Sequence, residues 1–453
     1  MNPETFLKSS SRPDLAAHHW ERIKPHLPGG TVDADGIGGR CLLSLLGNSP
    51  ILVDHLLSGP DPKEQIHAFL HSRYLESPKP RDRMLEELTA LRERLSEKSL
   101  SSVQEILRVY KYQEMTRIAA RDLSGIAAFE ETGAELSSLA SAACEIAYQC
   151  SLDFLKDTWE GSPKDIPPFT VLGMGKLGGG DLNFSSDIDL LYVHGNPAHG
   201  SNPSDSPRSV FEFFCRLCEA TTKILHERTQ DGIVFRVDLD LRPEGKNGVI
   251  VNSLEALSSY YEASGAAWER GALIKARPIA GSASLGRQIL SEVEPFVYPK
   301  HVDASVIHHL KEMKAKINSA LFRGAPNAGF NLKLGRGGIR EIEFFVTAFQ
   351  MIYGGGETRL RERNTLKALD VIKDLKLAPG DHLDHLREAY VFLRRAENRL
   401  QMEEERQVHS LPKDNDQLEA LARRCGYEDA GTFTKDLEKH TSRVSEYFES
   451  LAS

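Results

Sequence analysis

Cysteine is scarce in this chain: six residues in 453, at positions 41, 144, 150, 215, 218 and 425. That is too sparse for a disulfide framework. The opening MNPETFLKSS has no apolar signal core, and there is no run of eighteen apolar residues to cross a membrane. A reduced, cytoplasmic protein with no membrane partner is expected. A basic excess is also missing, since 56 Lys and Arg stand against 65 Asp and Glu, a formal charge of −9. That sign is wrong for coating nucleic acid and favours a protein partner, or a small anion held by local arginines.

Zinc-type spacing is missing too. Cys215 and Cys218 form a C-x-x-C with no second pair behind it, so they are expected to pack on one helix face. His67 and His71 share a helix face, but the glutamate of a zinc helix is absent. They are expected to be ordinary helix residues.

What is present is length, enough for about two to four compact units. Residues 1–160 carry apolar residues three and four apart, as in DRMLEELTALRERLSE and SSVQEILRVYKYQEMTRIAARDLSG, and predict a helical region. DTWEGSPKDIPP breaks that pattern with a glycine and prolines. From Phe169 the chain turns strand-like in FTVLGMG, DIDLLYVH and the alternating GIVFRVDLDLRP, with the amphipathic helix RSVFEFFCRLCEATTKILHERTQ between the second and third. This core is expected over 161–290. The polar stretch NPAHGSNPSDSPRS, 196–209, reads either as a mobile loop bordering a site or as a plain connector. Residues 291–453 are helical again, with no strand-like run, and the chain shows no internal repeat. The fold class is α+β and predominantly helical, a sheet core flanked by N-terminal helices and a C-terminal helical bundle.

The sharpest signal is LGMGKLGGGDLNFSSDIDLLYVH, 172–194. Gly173, Gly175 and Gly178 satisfy G-x-G-x-x-G, but a dinucleotide fingerprint needs a long helix directly after it. Here the chain returns to a strand by Asp187. A Walker A loop fails because Leu177, rather than Ser or Thr, follows Lys176. What remains is a glycine loop whose amides can approach a phosphate, followed by D-x-D. On a strand, Asp187 and Asp189 point to one face and Ile188 to the core. Like charges so close repel unless a cation lies between them; Mg²⁺ is the natural occupant, with Mn²⁺ as the alternative. FRVDLDLRP offers Asp238 and Asp240 on one face by the same rule. Three carboxylates suit two hard cations in phosphoryl or nucleotidyl transfer. An isolated D-x-D is more often a pair of solvated charges; the glycine loop before it and the acidic strand after it favour metal.

This arrangement resembles the nucleotidyltransferase superfamily, which implies a mixed β-sheet core. GMGKLGGGDLNFSSDIDLLY, RVDLDLRPEGKNG, WERGALIKARPIAG and KLGRGGIREIEFFVTAFQMIYGG resemble, more specifically, the glutamine synthetase adenylyltransferase family. MTRIAARDLSG and AENRLQMEEERQVHSLP extend the likeness over nearly the whole chain. Members are usually twice as long, with an adenylyl-removing and an adenylyl-attaching half, and NFSSDIDL and GGIREIEF resemble the removing half. The resemblance implies that inorganic phosphate attacks the AMP on a tyrosine of glutamine synthetase, giving ADP and reactivated enzyme. It further implies control by the PII signal protein, with glutamine as an effector. Asp181 departs from the glutamate of many members, and Asp240 from the arginine of some; the second departure leaves open whether Asp238 alone or both acids hold metal.

Asp187, Asp189 and Asp238 would then be catalytic, holding metal on the AMP phosphoryl oxygens and near the nucleophile. Amides around Gly175, Gly178, Gly179 and Ser186 would meet phosphoryl or ADP oxygens. Incoming phosphate needs cationic, preferably forked donors, and Arg242, Lys275, Arg277, Arg336 and Arg340 are candidates, with Glu341 opening the helix beside a second glycine pair. Lys176 either neutralises phosphate or caps its loop. Trp268 is expected in the core rather than against adenine. The rival readings are attachment of AMP from ATP and a silent module sensing nucleotide, glutamine or PII. The helical flanks read as scaffold or as docking surface.

Overall fold

The computed structural model describes residues 3–96, 99–159, 163–196, 207–229, 232–300, 304–321 and 329–451. Its centre is one mixed sheet of β1 (Phe169–Gly173), β2 (Ile188–His194), β3 (Val237–Asp238), β4 (Val251–Ser253) and β5 (Arg277–Gly281). The order is β3-β2-β1-β5, with β4 also beside β2. β1 runs antiparallel to β2 and β5, whereas β3 and β4 run parallel to β2, at its start and its end respectively.

Both faces of this sheet are covered, which is why β1 and β2 read as unbroken apolar runs. Val171, Leu190 and Tyr192 enter an apolar cluster with the helices Phe129–Leu155 and Pro207–His226. Their neighbours Leu172, Leu191 and Val193 point the other way, into a cluster with the helices Leu254–Ala263 and Ala283–Val297. The result is a predominantly helical α+β fold. Among the described residues six further helices follow from Ala304 to Ser450, and Leu369, Leu386, Leu393 and Phe433 form part of their own core. We propose the three-part division at 160 and 290, with the helix Ala283–Val297 bridging the second boundary.

Two expectations about strands change. The long strand expected over GIVFRVDLDLRP shrinks to Val237–Asp238, because a turn begins immediately after it. β4 and β5 were not legible as strands; β5 is an edge strand, where Pro278 and its missing N–H are tolerated. The polar stretch 196–209 lies almost wholly outside the described residues. No disulfide joins the cysteines among the described residues, with Cys218 buried in the core and Cys215 half-buried. The rings of His67 and His71 stack 4.2 Å apart at the end of the helix Pro62–Leu70. Among the described residues no helix is long and apolar enough to cross a membrane.

Candidate active site

Register brings the acids together. Asp189 on β2 pairs directly with Asp238 on β3, and Asp187 lies just before β2. Burial first, then the charges of Asp238 and Asp187, push the Asp189 carboxyl up to about 6. Ile188 between them is fully buried, as alternation requires. Asp187 accepts hydrogen bonds from Arg236 Nε at 2.6 Å and Gln407 Nε2 at 3.0 Å. Asp240 is separate: its amide donates to Asp238 Oδ1 at 2.7 Å, but its carboxylate lies 3.4 Å from the exposed Lys246 Nζ. The strand ends at Asp238, so the two-residue rule does not carry Asp240 onto the same face.

The glycine stretch forms a short helical turn, Gly175–Gly179, rather than an open loop. Met174 N donates to Asp189 O at 2.9 Å and fastens the turn to β2. Gly175 has φ +51°, and a Cβ there would collide with the Asp189 carboxylate, so glycine is what lets the turn pass over the acid. Gly178 is needed for a different reason, since its Cβ would strike the carbonyls of Lys275 and Gly173. Its amide, expected to meet phosphate, donates to Met174 O at 2.9 Å. The unspent amides of such a turn are those of its first residues, Gly175 to Leu177. Ser186 Oγ accepts from Asn183 N at 3.3 Å and shapes the approach to β2.

A buried polar network from the helix Gly380–Gln401 holds this turn from behind. Arg394, fully buried, reaches Asp181 O at 2.5 Å and Asn183 Oδ1 at 2.6 Å. Tyr390 Oη donates to Asp181 Oδ2 at 3.0 Å. Lys176 Nζ lies 3.2 Å from Glu397 Oε2, which also accepts from Asn183, while His409 Nδ1 lies 2.7 Å from Glu397 Oε1. Burial alone would raise the Glu397 carboxyl, yet Lys176, His409 and Arg394 outweigh it and hold it far below the usual range. Lys176 is therefore turned away from a phosphate and into this network.

The other anion candidates scatter. Lys275 stays close, 3.2 Å from Thr365 Oγ1 and 3.7 Å from Glu343. Arg277 donates to the carbonyls of Leu177 and Gly178 at 3.0 and 3.3 Å, capping the glycine turn. Arg242 is spent on the carbonyls of Leu239, Gly248 and Lys246 in its own loop. Arg336 reaches Ser445 and Glu449, and Arg340 is exposed. Glu341 is buried, its carboxyl pushed up to about 7 by burial. Trp268 is half-buried. Arg236, Gln407, Arg394 and Glu397 were not among the site residues read from the sequence. Lys333, whose charge is felt at Asp189, is a further such residue.

The donor set suits a hard divalent cation. Asp187, Asp189 and Asp238 supply carboxylate oxygens, each with lone pairs to spare beyond its present hydrogen bonds. The raised Asp189 pKa expresses burial first and then the repulsion of Asp238 and Asp187, and a cation would offset both. Among the described residues no group of three or more histidines, cysteines, aspartates and glutamates stands close enough together to hold a metal ion as it is; Asp187 is engaged by Arg236 and Gln407 instead.

Residues 40–292 match the family model of glutamate-ammonia ligase adenylyltransferase, and residues 311–452 match that of GlnD PII-uridylyltransferase. The bifunctional glutamine synthetase adenylyltransferase/adenylyl-removing enzyme of Thioalkalivibrio sulfidiphilus is 41% identical over 349 residues, 76% of this chain and 36% of that protein. The protein of the same name from Bradyrhizobium sp. strain BTAi1 is 35% identical over 455 residues, 97% of this chain and 45% of its own length. The chain thus spans less than half of these curated relatives. It belongs to the glutamate-ammonia ligase adenylyltransferase family of nucleotidyltransferases.

Proposed function

We propose that this chain removes AMP from an adenylylated tyrosine of glutamine synthetase by phosphorolysis, releasing ADP and the reactivated enzyme. The observation that carries the reading is the meeting of Asp187, Asp189 and Asp238 beside the glycine turn, with Asp189 at about 6. Mg²⁺, or Mn²⁺, held by these three acids would supply charge neutralisation at the phosphoryl oxygens. Phosphate dianion is a competent nucleophile near neutral pH, so the protein's own task is positioning rather than proton abstraction. The leaving tyrosyl oxygen, with a pKa of about 10, departs more readily than an alkoxide. The amides of Gly175 to Leu177 and the charge of Lys333 are the groups placed to meet oxyanions. Asp240 is outside the proposed ligand set.

Glutamine synthetase as partner is supported by the relatives' name. PII as regulator is supported by the family matched at 311–452, which is named for action on that protein. Glutamine as effector and a cytoplasmic location accompany this reading. The relatives' name carries both activities, so attachment of AMP from ATP is the second reading.

The test incubates the chain with adenylylated glutamine synthetase, Mg²⁺ and phosphate, and follows ADP by chromatography beside an Asp187→Ala, Asp189→Ala control. Phosphate-dependent ADP that vanishes in the control is expected. Pyrophosphate from ATP and unmodified glutamine synthetase, with no ADP in the first assay, would establish the attaching reaction instead.

A further inference from the structure

A cleft of about 1510 Å³ lies away from the glycine turn, between the helices Pro50–Leu57, Pro62–Leu70 and Leu100–Leu123 on one side and residues 404–407 on the other. Arg108 lines it while being only 5% exposed, and its Nε and Nη1 are enclosed with no acceptor among the described residues. A guanidinium does not lose its proton, and burying one without a counter-charge is costly. Six acids line the same cleft, of which Asp61, Glu64 and Glu105 form no ion pair with Arg108 among the described residues and the other three are already engaged. Glu114 is held by Lys79 and Arg117, Glu405 by Lys111 and Tyr112, and Glu404 by Arg406 at 3.0 Å.

A second cation, Arg228, stands on the cleft wall, and the charges of both arginines are felt at the Tyr112 hydroxyl. Tyr112 stacks on His55 with ring centroids 3.5 Å apart, and the half-exposed Val109 adds an apolar surface beside them. The cleft therefore combines an unneutralised buried fork with flat and apolar walls, the composition of a small-molecule site. We propose that it binds a small organic anion whose phosphate or carboxylate group is received by Arg108. Its far end is bounded by Arg236 and Gln407, the two residues that hold Asp187. An occupant there is one hydrogen bond removed from the catalytic acids, which makes the cleft suited to an effector of the site rather than to its substrate.

Calorimetric titration of the full chain in the presence of a chelator, with inorganic phosphate, ADP and L-glutamate in separate arms, tests the proposal. Saturable binding is expected in at least one arm, weakened tenfold or more in Arg108→Gln, partly restored in Arg108→Lys, and unchanged in Asp189→Asn. Binding of phosphate or ADP alone identifies a phosphoryl ligand, and binding of glutamate alone a carboxylate. The ligand-free Arg108→Gln chain should keep or raise its thermal midpoint, since no partner is lost. A lowered midpoint would make Arg108 a structural ion-pair member and overturn the proposal. Absence of saturable binding in every arm, binding that survives Arg108→Gln, or binding lost with Asp189 would overturn it as well.

Discussion

Two D-x-D pairs lie in the sheet core, 187/189 and 238/240, and the structure treats them differently. The first leads into a seven-residue strand covered on both faces, so that Asp189 is half-buried against its neighbours' charges. The second begins on a strand of two residues, and its outer member turns to Lys246 at the surface. Identical spacing produces one strained, charged cluster and one solvated ion pair. What separates them is the persistence of the strand and the mass packed around it.

The sharpest way to break this contrast is to exchange the charges. Asp189→Asn should slow the proposed phosphorolysis by about 10²–10³-fold, whereas Asp240→Asn should stay within about threefold of the parent, measured as ADP released. A comparable loss in both would place Asp240 among the ligands. The packing behind the pairs gives the next contrast. Glu397→Gln leaves Lys176 and Arg394 buried with a lost partner and should cost about 3–5 kcal/mol in urea unfolding.

Proton linkage gives a third. Asp189 takes up a proton more readily folded, at about 6, than unfolded, at about 3.9, so the metal-free chain should lose stability as pH rises through that window. Roughly 3 kcal/mol is the upper bound for two units. Asp189→Asn should remove the slope and saturating Mg²⁺ should flatten it; an unchanged pH profile in that variant would show that the Asp189 carboxyl is not the group that titrates in this window. The smallest effect belongs to the surface pair: Lys246→Gln should alter stability by no more than about 0.5 kcal/mol, read from the same unfolding curves.

The placing of Asp187 and Asp189 around the start of one strand beside the glycine turn was legible because strand alternation and a glycine motif are local signals, confined to a few residues of chain, whereas the choice of Asp238 rested on the family resemblance. Asp240 misled for the same reason, since the rule holds only while the strand lasts. Arg277 and Arg242 could not be placed, because a guanidinium satisfies a backbone carbonyl as readily as a phosphate and nothing in LRP or IKARP says which. Glycine identity was informative, but about clearance for Asp189 and for the Lys275 carbonyl more than about open amides. The network of Arg394 and Glu397 was beyond any spacing rule; only the resemblance of AENRLQMEEERQVHSLP marked that stretch, without saying what it touches.

That network has a consequence for the order of events at the ribosome. Lys176 and Glu397 are separated by 221 residues, and Asp181 and Arg394 by 213. At synthesis rates of roughly 5–20 residues per second, the turn over Asp189 waits roughly 10–40 s for the helix that fixes it. Over that interval Asp181 and Lys176 are without the partners that neutralise them. The proposed site thus stays unassembled until the helix bearing Arg394 and Glu397 has been made and docks.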